Sequence, residues 1–167
     1  MSGHTPRLMY LAALALIAAL GSCAGEGEHA EAVGLEISRI YIAEPVTGER
    51  TAMYLTITNS GDAEDELLAV STPVAGIAEI HRTVNDDGTM RMEKVESVTI
   101  PAGATVRLAP GGYHVMLMEL KDLLWAGDHV DATLHFRRMG ALAVRPKVVE
   151  YSDLETVLDA SREHDAH

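Results

Sequence analysis

The chain has 167 residues, enough for one domain and hardly two. Its composition, 47% apolar and 23% charged, is that of a folded globular protein and argues against a disordered chain. Acidic side chains outnumber basic ones 25 to 13 for a formal charge of −12, the wrong sign for a phosphate backbone, so nucleic acid is not expected as a partner. A single Cys excludes any intramolecular disulfide or Cys-x-x-Cys pair, and eight Met stand against one Phe and one Trp.

Residues 1–22 read as an address. Arg7 precedes an apolar run from Leu8 to Leu20, too short to span a bilayer, and small residues lead to Cys23. Leu20-Gly21-Ser22-Cys23 resembles a lipobox, which makes Cys23 the candidate lipidation site; ordinary signal cleavage with Cys23 incidental is the alternative. Either way the mature chain is expected to be exported, with a periplasmic lipoprotein anchored through Cys23 as the sharper form. Residues 23–33 are small, polar and acidic and read as a flexible tether.

From residue 34 onward the pattern is period two, broken by turns. A first strand is expected from Leu35 to Ile40. Thr51 to Asn59 is rich in β-formers and ends at Asn59-Ser60-Gly61-Asp62. Leu67 to Val70 and Gly76 to Thr83 follow. Asp87-Gly88 predicts a tight hairpin into a strand over Met90 to Thr99. Thr105 to Leu108 stops at Pro110-Gly111-Gly112. Tyr113 to Leu120 and Val130 to Phe136 flank the Ala126-Gly127-Asp128 turn, and Leu142 to Tyr151 closes the set. Ser152 and Glu155 have capping-box spacing and predict a short helix, followed by a polar, disordered tail to residue 167. Many short strands with little helical pattern predict an all-β protein, a β-sandwich or barrel, over 34–151.

Within this frame, His81 is followed by ten residues and Met92, then by twenty-one residues and His114, then by one residue and Met116. Residues two apart on a strand share a face, so His114 and Met116 project together. His81 and Met92 flank the Asp87-Gly88 hairpin and can be paired across it. Two thioethers with two imidazoles make a soft, neutral donor set that favours Cu(I) over zinc or hard cations. The mature chain lacks the structural thiolate that a blue-copper centre needs. Spacing alone leaves a second reading open, because a lone strand Met is commonly core filler and a lone strand His is commonly just hydrogen-bonded. Met53, Met118 and Met139 are read as filler. Met90 shares strand parity with Met92 and is an accessory thioether candidate.

The pattern His81-x10-Met92-x21-His114-x-Met116 resembles the signature of the periplasmic copper chaperones called PCuAC. Ala78-Glu79-Ile80-His81, Gly88-Thr89-Met90-Arg91-Met92, Ile100-Pro101-Ala102-Gly103 and Pro110-Gly111-Gly112-Tyr113-His114-Val115-Met116-Leu117-Met118 resemble that family's stretches, and the likeness runs from Leu35 to Val149. The resemblance implies a cupredoxin-like (Ig-like) β-sandwich holding one Cu(I) through His81, Met92, His114 and Met116. It implies copper delivery to the CuA centre of cytochrome c oxidase, with subunit II or a Sco-type protein as partner. The chain is expected to act as a monomer and not as an enzyme. A general copper buffering or tolerance role, or a metal-free structural module, are the competing readings. Some family members carry a long Met- and His-rich tail implicated in Cu(II) binding; here only His164 and His167 remain as candidates for a weak Cu(II) site. Trp125 lies in the loop before Gly127-Asp128, either exposed to a partner or packed within the loop.

Overall fold

The computed structural model describes residues 34–159. Eleven strands make up most of them: β1 (Leu35–Ala43), β2 (Arg50–Asn59), β3 (Asp65–Ser71), β4 (Ala75–Asp86), β5 (Thr89–Lys94), β6 (Val98–Ile100), β7 (Thr105–Leu108), β8 (Tyr113–Leu120), β9 (Ala132–Phe136), β10 (Gly140–Val144) and β11 (Lys147–Val149). A 3-10 turn (Tyr151–Asp153) leads into the short helix α1 (Leu154–Asp159).

Alternation of apolar and polar residues decides which face each strand buries. On β8, Val115 and Leu117 are fully buried while His114, Met116 and Met118 take the other face. On β2, Met53, Leu55 and Ile57 turn inward; on β9, Ala132, Leu134 and Phe136 do so. These inward faces belong to two sheets, one ordered β11-β1-β2-β7-β8-β4-β5 and the other β10-β9-β3-β6. Their buried residues form one core, so the fold is a two-sheet β-sandwich. The seven-stranded sheet carries a second, smaller apolar cluster on its outer face, where Leu154 of α1 packs with Ala43, Tyr54 and Val149.

Two expected strands are each divided in two. The run Met90 to Thr99 splits into β5, at the edge of the seven-stranded sheet, and β6, in the other sheet. The run Leu142 to Tyr151 splits into β10 and β11 on opposite sheets, with Pro146 between them supplying no N–H to continue a ladder. β4 is longer than expected and reaches Asp86, because the hairpin keeps it paired to its tip. There Asp87 and Gly88 both have positive φ, 48° and 86°, which is the type I′ geometry that the strand twist prefers. The Ser152–Glu155 capping box does not form. Ser152 Oγ donates instead to the Glu150 and Asp153 carboxylates at 3.4 Å, and the helix starts from the 3-10 turn.

Candidate metal centre

Three neighbouring strands build the centre on the outer face of the seven-stranded sheet. In the register of β4 against β8, His81 lies directly opposite His114 and Glu79 opposite Met116. In the register of β4 against β5, His81 lies opposite Lys94 and Met92 opposite Thr83. Met92 and Met116 are therefore the diagonal neighbours of His81 on either side, within reach of long side chains. The two imidazole centroids are 6.0 Å apart. Four residues spread over 36 positions of sequence are brought to one patch by two antiparallel pairings.

The turn before β8 sets the pose of His114. Gly112 N–H donates to Ala109 O at 3.0 Å, with Pro110 and then Gly111 at φ +78° between them, the type II pattern that needs a residue without Cβ at its third position. This aims the Gly112 carbonyl at β4 and β8 together. It accepts Thr83 N–H at 3.1 Å and lies 3.2 Å from His114 Nδ1. His114 is only 3% exposed, with the Tyr54 ring 6.4 Å away, and its Nε2 is buried without a hydrogen-bond partner. Buried polar nitrogens are rarely left so, which makes this atom the strongest sign of a ligand. Burial pushes the His114 pKa below the ordinary histidine value; the Gly112 hydrogen bond opposes that and neighbouring His81 adds to it. The ring therefore favours the neutral form that a metal takes.

His81 is more open, its side chain 17% exposed, with Nε2 at 3.1 Å from Glu79 Oε2. Glu79 in turn accepts from Lys94 Nζ at 2.6 Å, and these two partners, Lys94 first, hold its pKa below the usual carboxylate value. Met92 is 56% exposed on the edge strand, while Met116 is half-buried and borders a cleft of about 240 Å³ that Val46, Ala52, Tyr54 and Tyr151 also line. The structure thus offers one shielded imidazole, one half-open imidazole and thioethers of unequal exposure. Among the described residues no three His, Cys, Asp or Glu side chains form a metal cluster; the further soft donors beside the two imidazoles are the thioethers of Met92 and Met116.

The remaining candidates lie elsewhere. Met90 is on the correct face but opposite Asn85, four residues along the strand pair from the level of His81, about 13 Å at the rise of a strand. It is two residues beyond Met92 on the same face, toward the hairpin tip. Met118 is not core filler: it shares the outer face with Met116, opposite Ile77 and Arg50, whereas Met53 is fully buried and Met139 packs against the core. Trp125 is exposed, its backbone N–H held by Asp128. Cys23, His164 and His167 lie outside the described residues. The residue that sequence reasoning missed is Glu79. Its position two before His81 on one strand was the available signal.

With this geometry in view, the comparisons with known proteins agree on one group. The LpqE-like family model matches residues 35–148. "Putative lipoprotein Lxx21020" of Leifsonia xyli subsp. xyli is 32% identical over 123 residues, 73% of this chain and 74% of that one. The solution structure of CuI-DR1885 from Deinococcus radiodurans is 33% identical, covers 75% of this chain and 84% of that one, and superposes with a TM-score of 0.58. The copper-bound PCuAC domain from PmoF2 is 25% identical, covers 71% and 96%, and gives 0.61. The sandwich is therefore that of the PCuAC domains, and the chain, matched over more than half its length by the family model, belongs to the LpqE-like family.

Proposed function

We propose that this protein is an exported copper chaperone that carries one Cu(I) on His81, Met92, His114 and Met116 and hands it to the CuA centre of cytochrome c oxidase. The recipient is subunit II itself or a Sco-type copper protein, and a lipid on Cys23 holds the chaperone at the membrane. The observation that carries the reading is the partnerless, buried Nε2 of His114 on the same sheet face as His81, Met92 and Met116. A soft, neutral donor set of this kind matches Cu(I) and leaves the ion its single charge. The copper named in CuI-DR1885 and in the PmoF2 domain supports the same cargo.

Unequal exposure gives the transfer a direction. Met92, on the edge strand and more than half exposed, is the thioether an incoming ligand reaches first. Met116 is reached next through its cleft. The buried His114 lets go last. Copper passes by ligand replacement, never free, with no change of oxidation state and no catalytic group. Stopped-flow transfer to a copper-free, soluble CuA domain tests this. The expected rate rises with acceptor concentration at constant free Cu(I). A rate set only by dissociation, independent of acceptor, contradicts direct transfer and leaves buffering as the role.

A further inference from the structure

We infer that the two histidines offer copper different nitrogens, Nδ1 of His81 and Nε2 of His114, and that Glu79 is the positioning residue that fixes this asymmetry. The inference deepens the copper reading above and rests on it.

The hydrogen bonds assign the protons. A carbonyl only accepts, so the contact of His114 Nδ1 with Gly112 O at 3.2 Å requires hydrogen on Nδ1. In a neutral ring the lone pair is then on Nε2, the atom left buried and unpaired. His81 is arranged the other way round. Its Nε2 faces Glu79 Oε2 at 3.1 Å, and Glu79 Oε1 accepts from Lys94 Nζ at 2.6 Å. A carboxylate engaged by an ammonium is an acceptor at both oxygens, so His81 Nε2 is the donor, and in the neutral ring Nδ1 holds the lone pair. Gly112 reaches its histidine through a backbone turn and Glu79 reaches its own through a side chain. Both sit two residues before the imidazole they orient.

A ligating histidine whose second nitrogen donates to a carboxylate is held in one tautomer and one ring orientation. Glu79 does this for His81, and Lys94 holds Glu79 in place. The arrangement keeps the more exposed imidazole of the pair aimed before copper arrives. Glu79 itself need not touch the metal.

The test is a long-range ¹H–¹⁵N correlation spectrum of the imidazoles in full-length, ¹⁵N-labelled protein at pH 8, copper-free and with one equivalent of Cu(I) under anaerobic conditions. The expected copper-free spectrum shows a protonated Nε2 on His81 and a protonated Nδ1 on His114. Copper is then expected to move the His81 Nδ1 and His114 Nε2 resonances. Loss of the proton from His81 Nε2 with its appearance on Nδ1 would mean that the ring turns over on binding, and would overturn the assignment. Unmoved imidazoles would instead count against the copper reading itself, which keeps the two failures apart. Glu79→Gln is expected to weaken Cu(I) binding about 10–100-fold and to mix the His81 tautomers, with the thermal midpoint nearly unchanged. Unaltered affinity and an unaltered His81 tautomer in that variant would remove Glu79 from the role.

Discussion

Replacing Leu154 by Ala probes the helix that docks against Tyr54, whose ring lies 6.4 Å from that of His114. Leu154 is 1% exposed and anchors α1 against Ala43, Tyr54 and Val149 on the outer face of the large sheet. Deleting a fully buried leucine side chain costs about 2–5 kcal/mol in a closed core. Here the lower half of that range applies, because α1 has six residues, too few to persist undocked, and can lift off rather than leave a cavity. A loss of about 2–3 kcal/mol is expected, roughly a 5–15 °C fall in thermal midpoint for a domain of this size. Urea denaturation of the copper-free protein with paired hydrogen-exchange measurements reads it. The exchange should separate faster opening of residues 150–159 from unchanged protection in β2 and β8. A loss under about 0.5 kcal/mol, the ordinary scale for a surface substitution, would refute docking of this helix on the sheet.

The other predictions are smaller in reach. Gly111→Ala places a Cβ at φ +78° and is expected to cost about 1–2 kcal/mol and to weaken Cu(I) binding, because the turn aims the Gly112 carbonyl that orients His114; calorimetry and copper titration on the same variant check both parts. The lowered pKa of His114 gives a signed pH effect on the copper-free protein. Below about 6.5 the unfolded chain takes up a proton at this ring that the folded state refuses, so stability falls as pH drops from there toward the folded value. Denaturation midpoints between pH 7.5 and 5 should fall less steeply for His114→Gln than for the parent. Equal slopes would show that this ring is not shielded as described.

Much of the centre was legible because strand parity is simple. His114-x-Met116 can only share a face, and the Asp87-Gly88 turn dictates the register that sets Met92 diagonal to His81. Parity also explains the errors. It tells which face a residue takes but not which sheet or which level along the strand, so Met118 passed as filler and the level of Met90, beyond Met92 toward the hairpin tip, was not legible. Sheet switching at β5/β6 and β10/β11 was hidden because the apolar pattern continues across each break while the partner strand changes. The capping box failed because Ser152 lies inside the 3-10 turn Tyr151–Asp153 and not at a helix N-cap. Glu79 looked like a polar strand residue until Lys94 appeared opposite His81, and only that pairing gives the carboxylate a defined partner at each oxygen.

The central claim is that His81, Met92, His114 and Met116 together hold Cu(I). An anaerobic Cu(I) competition titration on residues 24–167, alongside Met92→Leu and Met116→Leu, tests it most directly. Both swaps conserve volume and apolarity, so the sandwich should keep its stability to within about 1.5 kcal/mol. The account predicts one equivalent bound tightly by the parent and an affinity at least about 10-fold lower in each variant, which is 1.4 kcal/mol or more. No binding, or binding that neither substitution changes, would contradict it.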